Sequence, residues 1–284
     1  MVVDIIGKRR LWMSISGIII LAGLISILFQ GMNLGIDFAG GTIIEFTFYK
    51  GVTNNEIRDT LGEFGLTKAP KIQQTEDGVL IRMEELPASK ITAIEEKIEA
   101  KYSGKMQRTE KVGGTIGKEL RNKAFWALLL AALAIVAYIS MRFEFRFAIA
   151  AILALLHDVL IVLGVFSLLQ IEINSPFVAA LLTIVGYSIN DTIVIFDRIR
   201  EKMRTAKKET FAQLNNEAIV ETLPRSINTS LTTLLPILAI LFLGGTTIQN
   251  FMLALLVGVL SGTYSSIFVA SPILVEWDER KSAK

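Results

Sequence analysis

Residues 176–196 read PFVAALLTIVGYSINDTIVIF. Asp191 is the single charge in this stretch. A transmembrane helix needs about 20 mainly apolar residues, so the stretch is long enough to cross a bilayer. Reading outward, residues 11–29, 124–141, 147–169, 227–243 and 250–275 form five further apolar blocks. The first half of 227–243 is rich in Ser and Thr. The chain of 284 residues is 52% hydrophobic and 20% charged, with the charges between the blocks. That pattern excludes a disordered tail and an ordinary soluble enzyme. The fold class it predicts is a polytopic α-helical membrane protein with six transmembrane helices and one soluble insert.

The 29 basic and 27 acidic residues leave a net charge of +2, too balanced for a nucleic-acid partner. There is no cysteine and one histidine, His157. Disulfides, Cys-based metal sites and multi-His zinc sites are excluded, and no cofactor is expected. A catalytic triad is disfavoured, because no Ser sits on a nucleophile elbow.

Lys8, Arg9 and Arg10 precede block one, as in a signal peptide, but no Ala-x-Ala cleavage site follows, so the block reads as an uncleaved anchor. Arg142 and Arg146, then Arg198, Arg200, Lys202, Arg204, Lys207 and Lys208, then Arg280, Lys281 and Lys284 all fall on one side. The positive-inside rule makes that side the cytoplasm, with both termini there. The expected domains are 1–30, cytoplasmic N-terminus and first span; 31–123, extracytoplasmic; and 124–284, five spans with a cytoplasmic loop at 197–225. Phe211, Leu214, Ala218 and Ile219 recur at helical spacing in that loop. This suits either an amphipathic helix on the membrane surface or a helical cover over the bundle base.

Residues 31–123 hold 14 basic and 14 acidic residues. Their pattern reads strand 41–49, helix from Thr53 to Phe64, strands 69–75 and 78–83, helix 87–102 and strand 105–112. Thr53 and Glu56 have capping-box spacing, and Glu76-Asp77-Gly78 is a hairpin-turn signal. The order suits a ferredoxin-like α+β domain.

Ionisable residues inside spans cost about 2.5–3.5 kcal/mol on insertion scales, so they are the first candidates for chemistry. Asp191 lies about 7.5 Å beyond the block's middle at 1.5 Å rise per residue, too deep for a short side chain to reach water. It is either a functional carboxyl or a helix–helix hydrogen-bonding group. Arg225 opens the next span as its partner, or as an anchor snorkelling to lipid phosphate. Ser226, Asn228, Thr229, Ser230, Thr232 and Thr233 follow, and such groups belong on a wet path or a polar helix seam. Ser188, Asn190 and Thr192 flank Asp191 in the same way. His157 and Asp158 sit mid-span. Neighbours on a helix point about 100° apart, so no mutual pair is expected, and helix packing stands beside a proton relay. Gly35, Asp37, Gly40 and Gly41 suit a tight turn into the first strand, with no Walker A signature. Gly258, Gly262 and Ser266 form a small-xxx-small packing face.

Gly35-Ile36-Asp37-Phe38-Ala39-Gly40-Gly41, Gly186-Tyr187-Ser188-Ile189-Asn190-Asp191-Thr192, Phe196-Asp197-Arg198-Ile199-Arg200-Glu201, Arg225-Ser226-Ile227-Asn228-Thr229-Ser230 and Gly262-Thr263-Tyr264-Ser265-Ser266-Ile267 together resemble the SecD/SecF protein-export family, of the resistance-nodulation-division superfamily, on its SecF side. The resemblance covers nearly the whole chain. Gly114 departs from it, because the family often has Pro in that bend. The resemblance implies an accessory subunit of the Sec translocase in a bacterial or archaeal cytoplasmic (inner) membrane. It implies use of the proton-motive force to promote preprotein export, with no enzymatic reaction. Its implied partners are SecD, the SecYEG channel, YajC, translocating preprotein and membrane lipids. The start at Met1 leads to the expectation that SecD is a separate chain. By motif match Asp191 is the proton carrier and Arg225 its regulator. A proton-driven small-molecule or lipid exporter and a non-conducting assembly scaffold are the alternative functions.

Overall fold

The structure is a computed structural model, and it describes residues 4–49, 51–66, 69–75 and 78–282. The chain divides into two compact units, a helical one of residues 1–33 and 126–284 and a smaller one of residues 34–125.

Six helical stretches are long and apolar enough to cross a membrane. They are α1 (Arg9–Gln30), α5 (Gly114–Arg142), α6 (Phe145–Leu168), α7 (Ser175–Thr205), α8 (Phe211–Leu243) and a last composite helix. The last begins as α9 (Thr246–Ser265), passes through a π-helical turn at Ser266–Ala270 and continues as α10 (Ser271–Ser282). The start of α7 is set by Asn174, whose side chain accepts from the Phe177 N–H at 3.2 Å, with Pro176 in the first turn. Such caps satisfy amides that the helix itself leaves free. Of the two readings of the segment before span five, the structure fits the helical cover over the bundle base and not a separate surface helix. α8 starts at a Thr210–Gln213 capping box and runs unbroken through Pro224 and Pro236. Its Leu214, Ala218 and Ile219 are buried, and Ala218 and Ile219 join the apolar core of the bundle. That apolar stripe covers the bundle base, because packing it there removes it from water.

Small residues set the helix spacing. A Cβ on Gly23 of α1 would stand 2.8 Å from the Cα of Gly164 on α6. Likewise, a Cβ on Gly258 would collide with the Ile184 side chain, and one on Gly262 would stand 2.9 Å from the Ser188 Cβ. The expected packing face on the last span therefore meets α7, with backbones close enough to bring their hydroxyls together.

The smaller unit starts with a short helix, α2 (Ile36–Ala39). β1 (Gly41–Phe48), α3 (Asn54–Gly62), β2 (Lys71–Gln74), β3 (Gly78–Met83), α4 (Ala88–Tyr102) and β4 (Gly104–Val112) follow. The strands form one antiparallel sheet in the order β2-β3-β1-β4. Ile44 lies opposite Ile81 and Phe46 opposite Val79. These side chains pack with Ile57 and Leu61 of α3 and with Ile91, Ile94 and Ile98 of α4. The capping box at Thr53 is formed, with Glu56 accepting from the Thr53 N–H at 2.8 Å. Of the hairpin signal, Glu76 and Asp77 lie outside the described residues.

Candidate functional site

Asp191 sits on the bundle-facing side of α7, where it is 4% exposed. Its Oδ2 has no hydrogen-bond partner among the described residues, and neither does the buried Ser226 Oγ of α8. The Ser226 hydroxyl lies near the carboxyl without completing hydrogen-bond geometry. Asp191 and Arg225 are not brought into an ion pair. Arg225 is exposed on α8, and its charge reaches the carboxyl through space. In a low-dielectric setting such a charge still counts over several ångströms.

Asn190 on α7 and Asn228 and Thr232 on α8 are also exposed. Thr229 and Thr233 are half-buried, and Thr232 and Thr233 return their hydroxyls to carbonyls of their own helix at 2.9 Å. Ser230 turns inward. Its hydroxyl lies 2.5 Å from the Thr263 hydroxyl and accepts from Tyr187 at 3.2 Å. One face of the polar run is thus a helix seam and the other is open.

The densest polar cluster centres on Asp158, which is 1% exposed. Ser188 of α7 donates to its Oδ2 at 2.6 Å, and Ser265 of α9 donates there at 2.7 Å. Ser261 donates to Oδ1 at 2.7 Å. His157 Nδ1 lies 3.0 Å from the same Oδ1. This corrects the expectation that the two neighbours would not pair. The short carboxylate swings along the helix surface to meet Nδ1, the ring nitrogen nearer the backbone. The Cα–Cβ directions alone do not capture that reach. His157 Nε2 lies 3.1 Å from Ser16 Oγ on α1. Thr192 and Ser266 hydroxyls meet at 2.8 Å, and Ser266 also lies 3.3 Å from the Ser188 carbonyl. The π-helical turn begins at Ser266, directly after Ser265, one of the three serines that hold Asp158.

Ser16 and Tyr264 belong to this cluster but stand out weakly in the sequence. Ser16 is a small hydroxyl in an apolar run. Tyr264 lies in a quoted motif without a charge to draw attention. The i, i+4 spacing of Ser261 and Ser265 is the readable signal, since it places both hydroxyls on one helix face.

In the smaller unit, Gly35 opens α2, Asp37 lies in its first turn, and the chain enters β1 through Gly40 and Gly41. Gly40 has φ +76 and Gly41 φ +148, conformations that a side chain would strain. Among the described residues, no group of His, Asp and Glu is arranged to hold a metal ion.

A family model described as protein export membrane protein SecD/SecF, C-terminal, matches residues 92–280, and one for the SecD/SecF GG motif matches residues 25–51. The protein translocase subunit SecF of Sebaldella termitidis is 43% identical over 273 residues, covering 94% of this chain and 89% of that protein. The protein translocase subunit SecDF of Thermus thermophilus is 42% identical over 264 residues, covering 90% of this chain and 36% of that protein. The crystal structure of SecDF, a translocon-associated membrane protein, from the same source superposes with a TM-score of 0.92 at 40% identity. That match covers 99% of this chain and 39% of the SecDF chain.

Proposed function

The chain belongs to the SecD/SecF family of protein-export membrane proteins, and from that membership we propose that it is a proton-coupled subunit of a protein translocase. It works in the cytoplasmic membrane with both termini inside. The sheet unit is an extracytoplasmic ferredoxin-like domain, a reading supported by its β-α-β-β-α-β order and its β2-β3-β1-β4 sheet. Its partners are SecD, the SecYEG channel, YajC and the preprotein in transit.

The observation that carries the reading is Asp191, a buried carboxyl whose Oδ2 is unbonded among the described residues. A carboxylate kept only for packing would have both oxygens occupied. In this mechanism Asp191 takes up a proton, its attraction to Arg225 weakens, and the helices around it repack. The sheet domain moves with them and biases the emerging polypeptide outward. A proton crossing about 100 mV supplies about 2.3 kcal/mol, enough to shift a conformational population. The polar face of Asn190, Arg225, Asn228 and Thr232 is open in this chain alone. Polar groups cannot remain facing lipid at low cost, which supports a second membrane half, SecD, as their cover.

Asp191→Asn keeps the shape of the side chain and removes its proton uptake. Stimulation of export by the proton gradient is expected to vanish in reconstituted vesicles, while the subunits still co-purify. Undiminished stimulation in that variant overturns the reading.

A further inference from the structure

We propose that His157 and Asp158 form a second proton-holding site, which in its filled state carries one proton more than a neutral imidazole beside a carboxylate. The argument follows the hydrogens from α1 inward. The Trp12 carbonyl can only accept, so the Tyr264 hydroxyl, 2.9 Å away, points its hydrogen there. The Tyr264 oxygen then accepts from Ser16 at 3.3 Å. Ser16 has one hydrogen. In the filled state it stays on the Tyr264 side, and His157 Nε2, 3.1 Å from Ser16, donates to the Ser16 oxygen. On the other side of the ring, the 3.0 Å contact between Nδ1 and Asp158 Oδ1 also requires a hydrogen. The pair thus holds one hydrogen on Nε2 and one shared between Nδ1 and Oδ1, with no net charge.

The surroundings suit such a site. From α1 Ser16 and Trp12 face it. From α7 comes Ser188, with Asp191 about one helical turn further along. From α9 come Ser261, Tyr264 and Ser265. Tyr264 is the titratable neighbour, its ring stacked on that of His157 at 5.9 Å. Among the described residues no Lys or Arg pairs with either group. A groove of about 250 Å³, lined by Ser16 and His157 with Met13, Gly17, Leu160 and Val269, opens the Nε2 side to the bundle surface.

Emptying the site passes the Nε2 hydrogen as a proton to water entering that groove. The ring becomes neutral, Asp158 remains a carboxylate, and the pair acquires one negative charge. Ser16 then turns its hydrogen from Tyr264 to Nε2, so α1 and α9 lose a link. This inference rests on the proton-coupled reading of Asp191. Asp191 follows Ser188, the α7 donor to Asp158, by three residues, and negative charges held in one bundle oppose one another, so the two sites are expected to alternate in holding a proton.

His157 is the one histidine of the chain, so ring-15N histidine labelling gives a single residue's signals. In the full-length chain in lipid vesicles near neutral pH, Nε2 is expected to show the shift of a protonated ring nitrogen. An Nε2 with a free lone pair overturns the proposal. Asp158→Asn is expected to free that lone pair and abolish gradient-driven export in the assembled complex, with Asp158→Glu restoring part of both. Ser16→Ala is the second variant, because it leaves every charge in place should Asp158→Asn fail to fold. It is expected to lose the Nε2 hydrogen and shift the pH profile of export. Wild-type pH profiles in every variant that folds also overturn the proposal. The spectrum does not depend on export, so failure here is separable from failure of the Asp191→Asn test.

Discussion

In the sheet unit, Phe46, Ile57, Leu61 and Ile94 are fully shielded, and the exposed face of α4 carries Glu96 and Lys97. In the helical unit the exposed groups are Leu28, Phe29 and Leu243, and the shielded ones include Asp158, Ser188 and Ser265. The contrast teaches that burial has no single chemical meaning along this chain. In water an apolar side chain gains by leaving the solvent. In lipid it gains nothing by moving inward, and hydroxyls and carboxyls seek each other instead. One sequence therefore follows two packing rules, and substitutions can show where each applies.

The largest expected effect is in the sheet unit. Phe46→Ala should cost about 3–5 kcal/mol, the usual range for emptying an aromatic core position. Denaturant unfolding followed by tryptophan-independent far-ultraviolet dichroism of the full chain checks this. A smaller loss would show that the sheet core is not packed by the soluble rule.

A matched pair of surface changes comes next. Ile18 is 68% exposed on α1, and Ala93 is exposed on α4. Ile18→Lys should cost about 2.5–3.5 kcal/mol in membrane insertion, while Ala93→Lys should stay within about 0.5 kcal/mol. A glycosylation-based insertion assay and thermal unfolding read the two. Equal effects would erase the distinction between the units.

Gly262→Val tests the close approach between α7 and α9. The added carbon would press on Ser188, and overpacking of this kind costs about 1–3 kcal/mol. Thermal unfolding in detergent should report it, together with weaker disulfide cross-linking between cysteines placed on the two helices.

The smallest effect concerns pH. Backbone donation from Thr53, then its hydroxyl, holds the Glu56 carboxyl below its ordinary value of 4.5. A depressed folded value makes its contribution present above the ordinary range and lost as pH falls through the folded value. Protection of the amides at the start of α3, taken relative to their intrinsic exchange rate, should therefore fall as pH drops below 4.5. Glu56→Gln should flatten that added pH dependence.

Much of the architecture was readable along the chain. Hydropathy depends on residues that are contiguous, so the six apolar helices and the Thr53 capping box could be located directly. Asp191 stood out because a charge inside an apolar block is rare. The partnership expected at Arg225 was legible only as proximity. The rotation of α8 leaves its side chain exposed, and a residue count does not set that rotation.

The order of the segments and their polarity are thus properties of the amino-acid string, since each follows from local transfer energies and backbone preferences. The Asp158 cluster is different in kind. Ser16, His157, Ser188, Ser261 and Ser265 come from four separate helices, and none of them names the others as its partner. Their meeting depends on glycine contacts that set helix spacing, on the rotation of each helix, and on a carboxylate that bends back to the neighbouring ring. Those are long-range geometric conditions. Hydrogen bonds satisfied across helices are decided when the bundle packs, because no single segment contains both donor and acceptor.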